Sequence, residues 1–259
     1  YCADDPGACR AAAEASRRRP GLTLIPYGFT APGPWGIENY RPAAGQSRFT
    51  LRALSREFTL RVPGRHNVNN AAGASAAVWE LAREKYPERA AGELGEAFCR
   101  GLEGFAGSAR RCEVLGEAGG VLFLDDYAHH PSAIKTTLKG IREFYPGRRL
   151  VVDFMSHTYS RTAALFEDFA ASFEAADLLL LHKIYPSARE TAQGFSVSGE
   201  SLFRRIASSR EGVFYFEEPL EALDFCLARL REGDLFITLG AGNNGVLGRE
   251  LYRIRGGKE

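Results

Sequence analysis

Alternation of apolar and polar positions with a period of two runs from Arg48 to Ala53 and again from Glu57 to Val62, which predicts a β-hairpin closed by a short turn. Pro63-Gly64 stops the second run. From Asn67 the rhythm becomes helical. Val68, Ala72, Ser75, Trp79 and Ala82 keep i, i+3, i+4 spacing in an Ala-rich stretch, predicting a helix to about Lys85. A second helix is expected from about Ala90 to Leu102, and a short apolar strand at Leu22 to Ile25. Tyr1 to Pro6 reads as a strand end running into a loop, and a start on Tyr1 rather than Met suggests a piece of a longer polypeptide.

Three glycines between Gly101 and Ser108 interrupt the periodicity, so a domain boundary is placed there, with domains over residues 1–105 and 106–259. Beyond it, strand-like runs at Val121–Leu124, Arg149–Phe154, Leu178–His182, Val213–Phe216 and Leu235–Leu239 alternate with helix-length segments after Pro131, Arg161, Ser198, Pro219 and Gly245. That order predicts right-handed crossovers and a mainly parallel sheet with helices on both faces. Ligands then belong at the carboxyl ends of the strands. The polar clusters Asp125 to His130, Ser156 to Arg161 and Gly240 to Asn244 fall there.

Composition narrows the function. The 259 residues are 45% apolar and 25% charged with a net charge of +1, which excludes disorder and gives no basic surface for nucleic acid. No apolar stretch approaches the roughly 18 residues of a membrane span and no signal peptide opens the chain, so a cytoplasmic protein is expected. Five scattered cysteines, none in a C-x-x-C pair, point to buried thiols rather than disulfides or zinc.

The candidate chemistry leaves alternatives. Gly240-Ala241-Gly242-Asn243-Asn244-Gly245 matches G-x-G-x-x-G, but the 14 residues after Gly245 leave no room for the acidic residue about 20 positions on that holds a ribose. A tight turn, or backbone N–H groups directed at an anion, is the favoured reading over a nicotinamide or flavin site. His129, His130, Asp125, Asp126 and His157 suggest polar substrate contacts or structural loop histidines, and their spacing argues against a metal cage. Asn67 and Asn70, three apart at a helix start, share a face. Their amides suit the N6/N7 edge of an adenine, while Asn67 as a plain N-cap explains the same residue. No G-x-x-x-x-G-K-[ST] phosphate loop occurs in the chain.

Pro63 to Ala71, Ser108 to Arg111, Asp125 to Pro131, His157 to Thr162, Ile184 to Glu190 and Gly240 to Gly242, in this order, resemble the Mur ligases of bacterial cell-wall synthesis. The resemblance covers essentially the whole chain. It implies an α/β protein: the rear part of a central ATP-binding domain over residues 1–105, incomplete without its phosphate loop, then a Rossmann-like C-terminal ligase domain with a mainly parallel sheet over residues 106–259.

What the resemblance further implies is an ATP-dependent amide ligase whose substrates are UDP-N-acetylmuramate and L-alanine, with Mg2+ held mainly by residues outside this chain. It implies adenine contacts at Asn67 and Asn70, a phosphate-directed Arg111 and a ribose-side Asp126. Tyr127, His129, His157 and Arg161 would line the amino-acid and acyl-phosphate side, with Arg111, His129 and Arg161 carrying the catalysis. Met155-Ser156, Cys112, Ala133 and Asn243 depart from the family pattern and bear on which amino acid is accepted. A ligase that recycles murein peptides, or a noncatalytic nucleotide-binding or interaction module on the same fold, are the alternatives. Without a phosphate loop, this chain alone is expected to be inactive.

Overall fold

Two units, Tyr1–Ala106 and Gly107–Glu259, make up the computed structural model, which describes residues 1–43, 45–54, 56–87, 91–188, 190 and 194–256. In the first unit Asp5 caps helix α1 (Pro6–Arg18) by accepting the Ala8 N–H at 2.6 Å, and Pro6 sits in the first turn, where its missing N–H costs nothing. Residues 1–5 form the expected strand end and loop, with Cys2 bridging Tyr27 in parallel, and the helix that follows is signalled by Asp5-Pro6. Leu22 to Ile25 is not a strand. Pro20 and Pro26 flank it and withdraw ladder donors, and pairing begins instead at β1 (Tyr27–Gly28).

Strand β1 runs parallel to β2 (Trp35–Ala43), which pairs antiparallel with β3 (Gln46–Leu51), and β3 with β4 (Arg56–Leu60). The hairpin is β3–β4, with Phe49 opposite Phe58. Strand β2 was not expected, because Gly36, a left-handed Asn39 (φ 52°) and a register shift between Glu38 and Arg41 break its alternation. Helix α2 (Arg65–Lys85) begins two residues earlier than its periodicity, and α3 spans Ala91–Glu103; Ala90 lies outside the described residues. Val68, Ala72 and Ala76 of α2 close the core against Trp35, Phe49, Phe58 and Leu60.

The second unit is a six-stranded sheet in the order β5-β6-β10-β7-β8-β9. Its strands are β5 (Glu113–Ala118), β6 (Val121–Asp126), β7 (Arg149–Phe154), β8 (Leu178–Leu181), β9 (Val213–Tyr215) and β10 (Asp234–Leu239). Five run parallel as expected, and β5 is an added antiparallel edge. A bulge at Gly116 (φ 144°) hides β5 from its sequence; a Cβ there would stand 2.4 Å from the Tyr252 hydroxyl.

Strand residues divide cleanly between two faces. Leu122, Leu124, Leu150, Val152, Phe154, Leu179, Leu181, Leu235 and Ile237 pack with helix α4 (Pro131–Phe144), α6 (Phe166–Ala170) and α7 (Gly199–Ala207). Val121, Phe123, Val151, Leu180 and Phe236 pack with α8 (Leu223–Arg229) and α9 (Gly245–Arg255). Both faces being covered, the strands read as continuous apolar runs. The segment expected as one helix after Arg161 is two short ones, α5 (Tyr159–Ala164) and α6, so Arg161 lies inside the first. Cys112 and Cys226 are buried thiols, whereas Cys2, Cys9 and Cys99 are only half-buried. Among the described residues no helix is long and apolar enough to cross a membrane.

Candidate functional site

On the first unit, Gly64 takes φ 98° and admits the chain to α2. A Cβ at Gly64 would lie 2.5 Å from the His66 ring. Asn67 therefore sits inside the first turn and is not the N-cap. Its Nδ2 donates to the Pro63 carbonyl at 2.7 Å, and its Oδ1 faces Asn70 Nδ2 at 3.5 Å. Asn70 is exposed, so the two amides stand side by side on one face with Asn70 open to solvent. Nearby, Arg65 lays its guanidinium over Phe29, 3.3 Å from the ring centroid.

On the second unit the candidate residues gather at the carboxyl ends of β6 and β7, with β10 between them. Asp126 is buried, and both oxygens are engaged: Oδ2 accepts the Cys112 N–H and Oδ1 the Ala128 N–H, each at 2.7 Å. It thus ties the segment after β6 to the Arg110–Cys112 turn, where Arg110 and Cys112 are both left-handed (φ 55° and 48°). Burial, and then the Asp126 charge, push the Cys112 thiol far up and keep it neutral. Tyr127 lies edge to face with His129, ring centroids 5.1 Å apart. His129 Nδ1 is 2.9 Å from the Tyr127 carbonyl; a carbonyl only accepts, so Nδ1 carries a hydrogen, and in the neutral ring Nε2 is the acceptor. His130 instead caps α4, accepting the Ser132 N–H.

His157 follows β7, stacks on Tyr185 at 6.0 Å and meets His129 edge to face at 6.4 Å. Burial lowers its pKa, and the neighbouring Arg161 and His129 lower it further. Arg161 donates to the His157 carbonyl at 3.2 Å. Between them Thr158 takes φ 72°, a left-handed conformation that costs a β-branched residue about 1–3 kcal/mol. Four bonds hold it there: its N–H to the Tyr185 carbonyl at 3.0 Å, the Arg161 N–H to its Oγ1 at 3.4 Å, and the Thr162 N–H and hydroxyl to its carbonyl at 3.1 and 2.7 Å. Glu190 accepts the Tyr159 N–H at 3.0 Å and the Ser160 hydroxyl, completing the start of α5; Arg189 beside it lies outside the described residues.

Arg111 is exposed, and among the described residues no hydrogen bond or ion pair engages its guanidinium. Its neighbour Arg110, which sequence reasoning passed over, faces Asp125 Oδ2 at 3.3 Å, donates to the Gly240 carbonyl at 2.6 Å and covers the Tyr127 ring at 5.0 Å. Tyr185 and Glu190 stand in the Ile184 to Glu190 run, whose sequence does not mark either one singly. The glycine turn after β10 is explained by packing. A Cβ at Gly240 would stand 2.3 Å from the Met155 carbonyl oxygen, and one at Gly242 would stand 2.5 Å from Met155 Sδ. Among the described residues no group of three or more His, Cys, Asp or Glu side chains could hold a metal ion.

Residues 110–242 match the family model described as Mur ligase, glutamate ligase domain. The UDP-N-acetylmuramate–L-alanine ligase of Treponema pallidum is 48% identical over 97% of this chain and 52% of its own length. That of Desulfotalea psychrophila is 38% identical over 98% of this chain and 53% of its own length. A crystal structure of the UDP-N-acetylmuramate–alanine ligase from Thermotoga maritima superposes with a TM-score of 0.68 at 22% identity, over 88% of this chain and 46% of that one. The folylpolyglutamate synthase of Mycobacterium tuberculosis shares the fold at 16% identity, TM-score 0.63, over 98% of this chain and 54% of that one. The chain spans about half the length of the curated relatives it matches. With the family model covering Arg110, the segment after β6, the His157 loop and the turn after β10, this chain belongs to the Mur ligase family.

Proposed function

We propose that the protein containing this chain is a cytoplasmic ATP-dependent ligase that joins the amine of L-alanine to the carboxylate of UDP-N-acetylmuramate in peptidoglycan synthesis. The observation that carries this reading is the gathering of Tyr127, His129, His157 and Arg161 at the ends of β6 and β7, in a chain 48% identical to the Treponema pallidum ligase. ATP, as co-substrate with Mg2+, supplies the phosphoryl group that turns the carboxylate into an acyl phosphate. Arg161 offers a planar fork of donors to the amino-acid carboxylate or to a developing phosphate oxyanion. His157, held neutral by its surroundings, accepts the proton that the attacking amine must lose. His129 presents Nε2 as a second acceptor, and Tyr127 walls the pocket.

For the nucleotide, Asn67 and Asn70 provide paired amides for the adenine edge, and the open guanidinium of Arg111 is available to a phosphate. Asp126 serves the ribose side by fixing the segment that carries Tyr127, since both its oxygens already accept backbone N–H groups. Phosphate release by the full-length protein should require ATP, UDP-N-acetylmuramate and L-alanine together. Release with a murein tripeptide but not with L-alanine would overturn the assignment in favour of a recycling ligase. This chain alone should release none above the rate without enzyme.

A further inference from the structure

Below the site, three buried side chains that the ligase reading does not use form one polar cluster. Asp153, near the end of β7, and His182, just after β8, are 0% and 1% exposed, and His182 Nε2 stands 2.5 Å from Asp153 Oδ1. Asn244, also fully buried, donates Nδ2 to Asp153 Oδ2 at 2.8 Å and to the Leu239 carbonyl at 3.0 Å. The other ring nitrogen of His182, Nδ1, is 3.0 Å from the Phe216 carbonyl. Both nitrogens thus face acceptors. The carbonyl fixes a hydrogen on Nδ1, so the contact between Nε2 and Oδ1 also needs a proton, whichever of the two atoms holds it.

The cluster reaches the site through the turn after β10. Asn244 ends that turn and leads into α9. Gly240 lies against the Met155 carbonyl and accepts from Arg110, while Gly242 lies against Met155 Sδ and Tyr185, the residue on which His157 stacks. We propose that the proton shared by Asp153 and His182 positions the Gly240–Asn244 turn beneath the His157–Tyr185 stack, with Asn244 as the link. When that proton leaves to solvent, the pair goes from net neutral to a single negative charge. The Nε2 lone pair and a carboxylate oxygen then confront each other in a dry site, so the carboxylate turns away and takes its bond to Asn244 with it.

The surroundings favour retention of the proton. Around His182 stand Asp153 from β7 and Glu218 beyond β9, which is paired with Lys183; Asp153 in turn faces Cys226 from α8, whose thiol burial keeps neutral. From α7 the Gly199 backbone packs on the His182 carbonyl. Burial opposes a charged imidazole, but Asp153, the Phe216 carbonyl and Glu218 outweigh it and raise the His182 pKa. The stability this adds is complete below about pH 6.5 and is lost as pH rises through the higher folded value.

That the His157–Tyr185 stack belongs to a reaction site rests on the ligase reading, but the linkage can be read on this chain without substrate. Proton and 15N spectra recorded from about pH 6 to pH 10 should show a far-downfield resonance for the shared proton at neutral pH, lost with a midpoint above about 6.5. The Gly240 and Gly242 amide signals should move with the same midpoint. In Asn244→Ala the histidine transition should persist while the two glycine amides stop following it. Absence of the shared proton at neutral pH, glycine amides that ignore its loss in the wild type, or amides that still follow it in Asn244→Ala would each overturn the proposal. A ligase assay that failed while this linkage held would count against the proposed reaction alone.

Discussion

His129 and His157 meet edge to face, ring centroids 6.4 Å apart and planes at 86°, although they follow β6 and β7, strands that β10 separates. Two imidazoles this close resist being charged together. Burial first, then Arg161 and His129, set the His157 pKa below its ordinary value. An NMR titration should therefore place His157 below about 6.5. Its contribution to stability is complete above about pH 6.5 and is lost as pH falls through the folded value. His129→Gln should raise the His157 midpoint. An unchanged midpoint would show that the two rings do not interact electrostatically.

Arg161 holds the His157 carbonyl with one arm of its guanidinium, leaving the rest of the fork for a ligand. If the full-length protein catalyses the proposed reaction, Arg161→Ala should lower its kcat/KM for L-alanine roughly 10- to 100-fold, the equivalent of about 1.5–3 kcal/mol for a charge-assisted bond. Arg161→Lys should recover only part of this, because an ammonium cannot reproduce a planar fork. Wild-type kinetics in the alanine variant would remove Arg161 from the site.

Asn70 is exposed on α2 beside Asn67. Asn70→Leu in the full-length protein should weaken ATP binding about tenfold and leave UDP-N-acetylmuramate binding unchanged, as measured by calorimetry. Equal loss for both ligands would instead indicate damage to the start of α2.

The strands most legible in the sequence are β6, β7, β8 and β10, because helices cover both faces and their central positions are apolar, with polar residues confined to Arg149 and Asp234 at the amino ends and to positions near the carboxyl ends. The elements that escaped have local breaks with tertiary causes. Strand β5 carries the Gly116 bulge demanded by Tyr252, and β2 is interrupted at Asn39. At the site, His129, His157 and Arg161 stand in recognisable runs. The pairing of Asp153 with His182 joins residues 29 positions apart through a sheet register that neither run reveals. Arg110 escaped for a related reason: two adjacent arginines are equivalent in sequence, and only the left-handed turn at Arg110 decides which of them points inward.

That turn separates the two arginines experimentally. Asp125 is fully buried, and its Oδ2 has Arg110 Nε and Arg249 as ion-pair partners, each at 3.3 Å. Removing one partner of a buried carboxylate costs about 3–5 kcal/mol when nothing else compensates. Arg249 remains in this case and is itself half-exposed, so Arg110→Ala should cost less, about 2–3 kcal/mol, including the lost bond to the Gly240 carbonyl. Arg111→Ala loses no such contact and should stay within about 0.5 kcal/mol of wild type. Urea unfolding of this chain measures both, with an unchanged m-value required for the comparison. In the full-length protein the order should reverse for ATP use at temperatures where both variants are folded: Arg111→Ala should raise KM for ATP, and Arg110→Ala should act mainly through stability. If Arg111→Ala destabilised the fold as much as Arg110→Ala, the exposed arginine would be a structural residue and the phosphate assignment would fall.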